Sequence, residues 1–399
     1  MEIIRIIKVK RRRMQFLFVL YVLCCIGTGL VGKTECIRAT QTGEDNQTED
    51  ITIEDFMASS DFSEVQDILD EQLADTDFSF WDSVKALSGG EGITGFSDIV
   101  TTGKNAIQSE IKQNKNLWLQ CFSIAIIVGV FSNFSMIFKN YQVGETGFYI
   151  GYLMLFAILF PTFYSMFRVA QQTMDGLILF MKALLPVFFL TVATSSGAGA
   201  ASAMYSNSLL MIGGVEFVIG NLFLPFLEIY FVLSMLNYIS KEAKISKLVE
   251  CLESLIRWGM KGTVGLVLGM QTIQGLLLPA VEEVKKNTVL KAGGAIPVIG
   301  DTFSGVAETV LSVASLMKNA VGIAGIIAMI LLCVIPLLKI LLYTLIFKVT
   351  AAVLEPLGEK RICECFHSVG TTAGMLLYLE GAALLLFSIT ILILSSTTG

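Results

Sequence analysis

The side chains able to do chemistry in this 399-residue chain are ionisable and amide groups set inside apolar runs. They are Lys182, Glu216, Asn221, Glu228, Gln271, Gln274, Lys339 and Glu380, with Asp301 and Glu308 in a weaker run. A charge at the centre of a membrane helix costs about 2.5–3.5 kcal/mol on insertion scales, so such groups are paired, hydrated or functional. Lys182, Glu216, Glu228, Gln271, Lys339 and Glu380 are therefore the candidate intramembrane polar or pathway residues. The plainer reading makes them glue between helices or side chains snorkelling near span ends.

A catalytic constellation is not evident in the sequence. It contains no HExxH and no GxSxG elbow. Its match to GxxxxGK followed by Ser or Thr, Gly27 to Thr34, closes the apolar leader run and is not set between a strand and a helix, so nucleotide hydrolysis and metal- or serine-dependent hydrolysis are not expected. Gly197 and Gly199 form a partial GxGxx pattern, but it follows an apolar run and not a βαβ unit. Cys363, Cys365 and the single histidine, His367, form a CxCxH cluster. Its spacing is not that of a zinc finger and it lacks an evident fourth ligand. The expectation is a protein that is not an enzyme, with no cofactor and no metal.

The elements that position these groups are membrane helices. The chain is 54% hydrophobic and 16% charged, against about 25% charged residues in soluble chains. Its mean hydropathy is +0.71. The apolar runs reach the roughly 20 residues needed to cross a hydrocarbon core of about 30 Å. Spans in lipid must satisfy their own backbone, which predicts an all-α polytopic membrane protein. Candidate runs are Leu117–Phe138, Phe148–Phe167, Gly176–Thr194, Ser208–Ile239, Thr263–Val281, Ile296–Met317, Ala320–Phe347 and Thr371–Leu394, giving seven or so crossings. The small-residue run 194–203 permits close backbone approach or an unwound crossing between half-helices. Residues 241–261 and 354–366 read as amphipathic helices lying in the interface.

Residues 1–39 read as a signal peptide or an uncleaved signal anchor. Lys8, Lys10, Arg11, Arg12 and Arg13 precede an apolar run from Met14 to Val31. The basic flank should stay inside, with the chain beyond the apolar run exported. Residues 40–112 are then an acidic extracytoplasmic segment, and 40–100 hold 16 of the 34 acids with one base, Lys85. Within it, Ile53, Phe56, Met57, Val65, Ile68, Leu69 and Leu73 recur at helical spacing, predicting short helices that need a partner or a membrane face.

After two transmembrane helices in 113–171, one unit of about 110 residues is written twice, in 172–282 and 283–399. Lys182 matches Lys291, Pro186 matches Pro297, and Pro225 matches Pro336. Glu250 and Cys251 match Glu364 and Cys365, and Gly262 matches Gly370, all at offsets between 108 and 114. Such a period fits a duplicated membrane half with sites between repeats. Glu228 and Lys339 each follow a matched proline by three residues, and Gln271 and Glu380 each follow a matched glycine by six. Glu228 and Lys339 are thereby candidates for a charge pair across a pseudo-symmetry axis.

Two stretches carry a family resemblance, together with the leader. They are SSGAGAASA at 195–203 and GAIPVIGDTFSGVAETVLSVASLMKNAVGIAG at 294–325. Over about 110–399 the chain resembles the stage III sporulation protein AE family, and Asp301 departs from the small residue expected there. The resemblance implies a channel- or permease-like subunit of a sporulation transport complex in the mother-cell membrane around the forespore. Its implied partners are other complex subunits, including a separate ATPase and ring-forming proteins. Membrane lipid is a further partner, and nucleic acid is not. A non-conducting scaffold of that complex and an independent ion-coupled secondary transporter are the alternatives.

Overall fold

A computed structural model describes residues 62–73, 78–88, 141–196, 198–239, 245–293, 300–355 and 360–396, with isolated positions between 108 and 127. Side chains are described for these residues except 141–144, 194–200, 203, 274–314 and 396. The leader, the stripe residues 53–57, the run 117–138 (apart from isolated positions) and Pro297 lie outside them, while Lys291 is on a described helix but outside the described side chains.

The described residues form helices and no strand. In chain order they are α1 (Ser63–Gln72), α2 (Phe80–Ser88), α3 (Tyr141–Ser196), α4 (Ala198–Glu216), a π-segment (Phe217–Phe223), α5 (Leu224–Ile239), α6 (Ser246–Gly293), α7 (Gly300–Leu354) and α8 (Lys360–Ser396). Among the described residues four stretches are long and apolar enough to cross a membrane: Glu145–Ala193, Met204–Ile239, Ser315–Leu354 and Lys360–Ser395. The fold is that of a polytopic helical membrane protein.

Two runs expected as separate spans, Phe148–Phe167 and Gly176–Thr194, are one helix. The linker 168–175 carries Arg168, Gln171, Gln172 and Asp175 on an exposed side, while Ala170 and Met174 are buried. That stripe lets the helix run through the polar turn, and 56 residues give α3 a length of about 84 Å. The expected interfacial helices are likewise not separate. The 241–261 stretch enters α6, which continues into the next apolar run. The 354–366 stretch is divided between the end of α7 and the start of α8.

The core is an α3–α7–α8 layer. Gly322 of α7 meets Phe188 of α3 and Ser395 of α8, and Gly325 meets Leu184 and Ile391. At the other end Gly370 of α8 lies against Lys348 and Phe347, and Gly374 against Thr344. These pairs run in opposite directions along the chain, so α7 is antiparallel to both neighbours. Small residues at these crossings let the backbones approach, which is how membrane helices gain packing without a hydrophobic drive. A Cβ at Gly370 would lie 3.0 Å from Lys348 Cγ and 3.3 Å from its backbone nitrogen. Gly370→Leu is expected to lower stability by about 1–3 kcal/mol through overpacking. Gly381→Leu, with open space around its Cβ position, should change little. Thermal unfolding of the two variants in detergent checks this.

The amphipathic α1–α2 pair docks on this layer. Val65, Ile68, Leu69, Phe80 and Val84 are buried, Gln72 touches Gly176 of α3, and the Phe80 ring meets Phe180 edge-on at 6.5 Å. Gln66 ties the two helices together. Its amide accepts the Phe80 N–H at 2.8 Å, satisfying one orphan donor at the start of α2, and donates to Phe78 O at 3.0 Å. The described part of the stripe, Val65, Ile68, Leu69 and Leu73, thus closes on the chain's own helices.

Candidate functional site

The small-residue run 194–203 falls at the corner where α3 turns into α4. The two helices fold back on each other, with Phe189 and Tyr205 in edge contact at 5.6 Å. Further down the same pair, Lys182 Nζ donates to Glu216 Oε2 at 2.8 Å. Each side chain is 44% exposed, so this ion pair lies on the outer surface of the bundle. Both residues were candidates from the sequence; their pairing joins positions 34 apart on two different helices.

Directly after Glu216 the helix widens into the π-segment. Pro225 follows two residues beyond it: it has no N–H, and its ring would collide with the carbonyl four residues back in a tight helix. The wider turn removes the collision, and the Leu224 N–H reaches Ile219 O instead. π-Segments are rare and recur at functional sites. On this stretch Asn221 and Glu228 are exposed, and Gly213, Gly214 and Gly220 face open space. The Met204–Ile239 span is also the least covered of the four, with 33% of its apolar window buried against 56–67% in the others. Around this span lie an ion pair shared with α3, an amide, a carboxylate and three glycines that the other described helices leave exposed or half-exposed.

Glu228 and Lys339 do not form the predicted pair. Glu228 is exposed on α5, Lys339 is half-buried on α7, and the ion pairs among the described residues are Lys182–Glu216, Lys247–Glu250 and Arg257–Glu253. Positions matched by sequence offset meet only if they lie near a common axis. Gln271 and Glu380 do not meet either. Gln271 Nε2 donates to Leu386 O at 3.2 Å and Thr390 Oγ1 at 2.6 Å, tying α6 to α8. Glu380 is fully buried in α8, and neither of its oxygens has a hydrogen-bonding partner. Asp301 and Glu308 lie on α7, and Gln274 on α6, outside the described side chains.

The CxCxH residues do not converge: Cys365, two positions from each of the others, points about 160–200° away from Cys363 and His367. Cys363 Sγ donates to Ala351 O at 3.0 Å, Cys365 is buried and His367 is exposed. Among the described residues no three His, Cys, Asp or Glu side chains converge as metal ligands. Cys365 instead belongs to a buried polar joint that the sequence did not reveal. Tyr152 of α3 donates its hydroxyl to Met235 O at 2.7 Å and reaches Cys365 Sγ at 3.8 Å, while Ser234 of α5 is hydrogen-bonded to Ser368 of α8. Lys318, at 1% exposure, was also missed. It falls between two apolar runs, where a lysine reads as a loop.

All of these site residues lie within 152–380. The family model for stage III sporulation protein AE matches residues 78–398. The chain belongs to the stage III sporulation protein AE family. The match takes in α2 to α8, and with it the ion pair, the π-segment and Glu380, so the family's part in sporulation extends to this chain. A curated relative, the stage III sporulation protein AE of Bacillus subtilis (strain 168), is 25% identical over 233 residues. That alignment covers 58% of this chain and 58% of the relative, less than two thirds of its length. No solved structure matches the chain.

Proposed function

We propose that this sporulation membrane protein is a channel- or permease-like subunit of a transport complex linking mother cell and forespore. The observation that carries the reading is the uncovered polar face of α4, the π-segment and α5. Charged and amide groups in a membrane span favour water or protein over lipid, and helix interruptions at membrane depth are tolerated where they line a cavity or are buried in protein. A pathway completed by neighbouring subunits supplies that environment. Energy comes from a separate ATPase, and ring-forming proteins complete the assembly. The duplicated 172–282 and 283–399 halves supply the framework, with 1–39 directing export of the 40–112 segment from the mother-cell membrane.

The test is water access at the face. A single cysteine at Asn221 should react with a charged maleimide in the assembled complex held in nanodiscs, at least tenfold faster than a cysteine at the buried position Leu376. Equal protection of both would make the face a dry subunit contact and the chain a scaffold.

A further inference from the structure

Glu380 stands apart from the polar face: it is in the middle of α8, at 0% exposure, with both carboxyl oxygens unpartnered. We propose that Glu380 is a proton-binding site, occupied in the closed bundle by one proton as the neutral acid. The inference goes beyond the channel reading and stands without it.

An ionised carboxylate stripped of water and left without a donor is among the costliest groups a membrane interior can hold. The neutral acid avoids most of that cost, but it brings an O–H that needs an acceptor. The α7–α8 register supplies one. Gly370 lies against Phe347 and Lys348, Gly325 against Ile391, and Gly322 against Ser395, which puts Glu380 level with Pro336. Pro336 is inside α7 and has no N–H, so the Leu332 carbonyl lacks the donor an unbroken helix would bring to it. A protonated Glu380 can donate at this level, whereas a carboxylate cannot.

The groups around it favour a proton over a metal cation. Cys333 of α7 is the titratable side chain beside the carboxyl. Lys339, one turn along α7, does not hydrogen-bond to either carboxyl oxygen. On the other helices packed against α8, Gln271 is turned to Leu386 and Thr390, Lys182 is paired with Glu216, and Asp175 and Glu228 are exposed. Leu376, Ala383 and Leu384, the neighbours on its own face, are apolar and buried. Hard cations need a shell of several oxygens, and among the described residues no three His, Cys, Asp or Glu side chains converge to hold one.

Infrared difference spectra of the full chain in nanodiscs, wild type minus Glu380→Gln, test the site at neutral pH in H2O and D2O. The expected result is a protonated-carboxyl carbonyl band that shifts on deuteration and is lost in the variant. Loss of a carboxylate band instead, or no difference between the two proteins, overturns the proposal. If Glu380→Gln does not fold, Glu380→Asp is read in its place: a displaced carboxyl band supports the site and an unmoved one overturns it. Sodium should leave the band unchanged; its disappearance on adding sodium overturns the proton as ligand. None of these readouts involves transport, so a failed channel test and a failed proton test are told apart.

Discussion

Replacing Ile68 and Leu69 together with aspartate will release α1 and α2 from the bundle. Ile68 is 7% exposed and Leu69 1%, and burying each such side chain contributes about 1.5–3 kcal/mol. The substitution loses both contributions and places two carboxylates in the contact with α3, each costing several further kcal/mol to desolvate. α1 and α2 have 10 and 9 residues, too few to hold together alone in water. The contacts of Phe62 with Phe80 and Trp81 and the Gln66 bridge depend on the docked arrangement and will go with it. Limited proteolysis of the full chain in nanodiscs should show rapid cleavage within 62–88 in the double variant, with α3, α7 and α8 still protected. The control Glu64→Ala, on the exposed side, should cleave like wild type. Unchanged protection in the double variant would mean that the stripe does not hold the pair down.

The success of the sequence at this stripe, and its failure elsewhere, have the same physical origin. Spacing of apolar residues reports which face of a helix is buried, so Val65, Ile68, Leu69 and Leu73 were legible, as were the apolar stretches that became α3, α5, α7 and α8. Spacing does not report what lies opposite. The 168–175 linker has the polar residues of a loop, while Ala170 and Met174, small and flexible enough to pack, carry the helix through. The face expected on 241–261 was half right: Val249 and Ile256 are buried, but Leu248 and Leu255 are more than half exposed. They form a second apolar side with Trp258, at 79% exposure. Among the candidate site residues, the intramembrane charges were readable and their partners were not. Lys182 and Glu216 come together because the α3–α4 corner folds at the small-residue run, a tertiary fact. Pro225 and Pro336 look alike in sequence, yet one is preceded by a π-segment and the other sits inside a continuous α-helix.

The Lys182–Glu216 pair offers the second large effect, and its size tells what the polar face touches. In water, an ion pair this exposed contributes about 0–1 kcal/mol. Against lipid the pair stays close to neutral, but removing one partner strands a charge worth about 2.5–3.5 kcal/mol at the helix centre. For the isolated subunit in nanodiscs, Glu216→Gln and Lys182→Met should therefore each lower stability by about 2–3 kcal/mol. The double variant should recover at least half of the summed loss, since neighbours that share one interaction do not add. Thermal unfolding of the four proteins completes the cycle. Single losses below about 1 kcal/mol that simply add would mean that water already covers the face in the isolated subunit. The exchanged pair, Lys182→Glu with Glu216→Lys, separates pairing from position. Restored stability shows that the two charges act on each other. Continued loss shows that one of them is held by a third group, and Glu228 and Asn221, on the same uncovered stretch, are the side chains to change next.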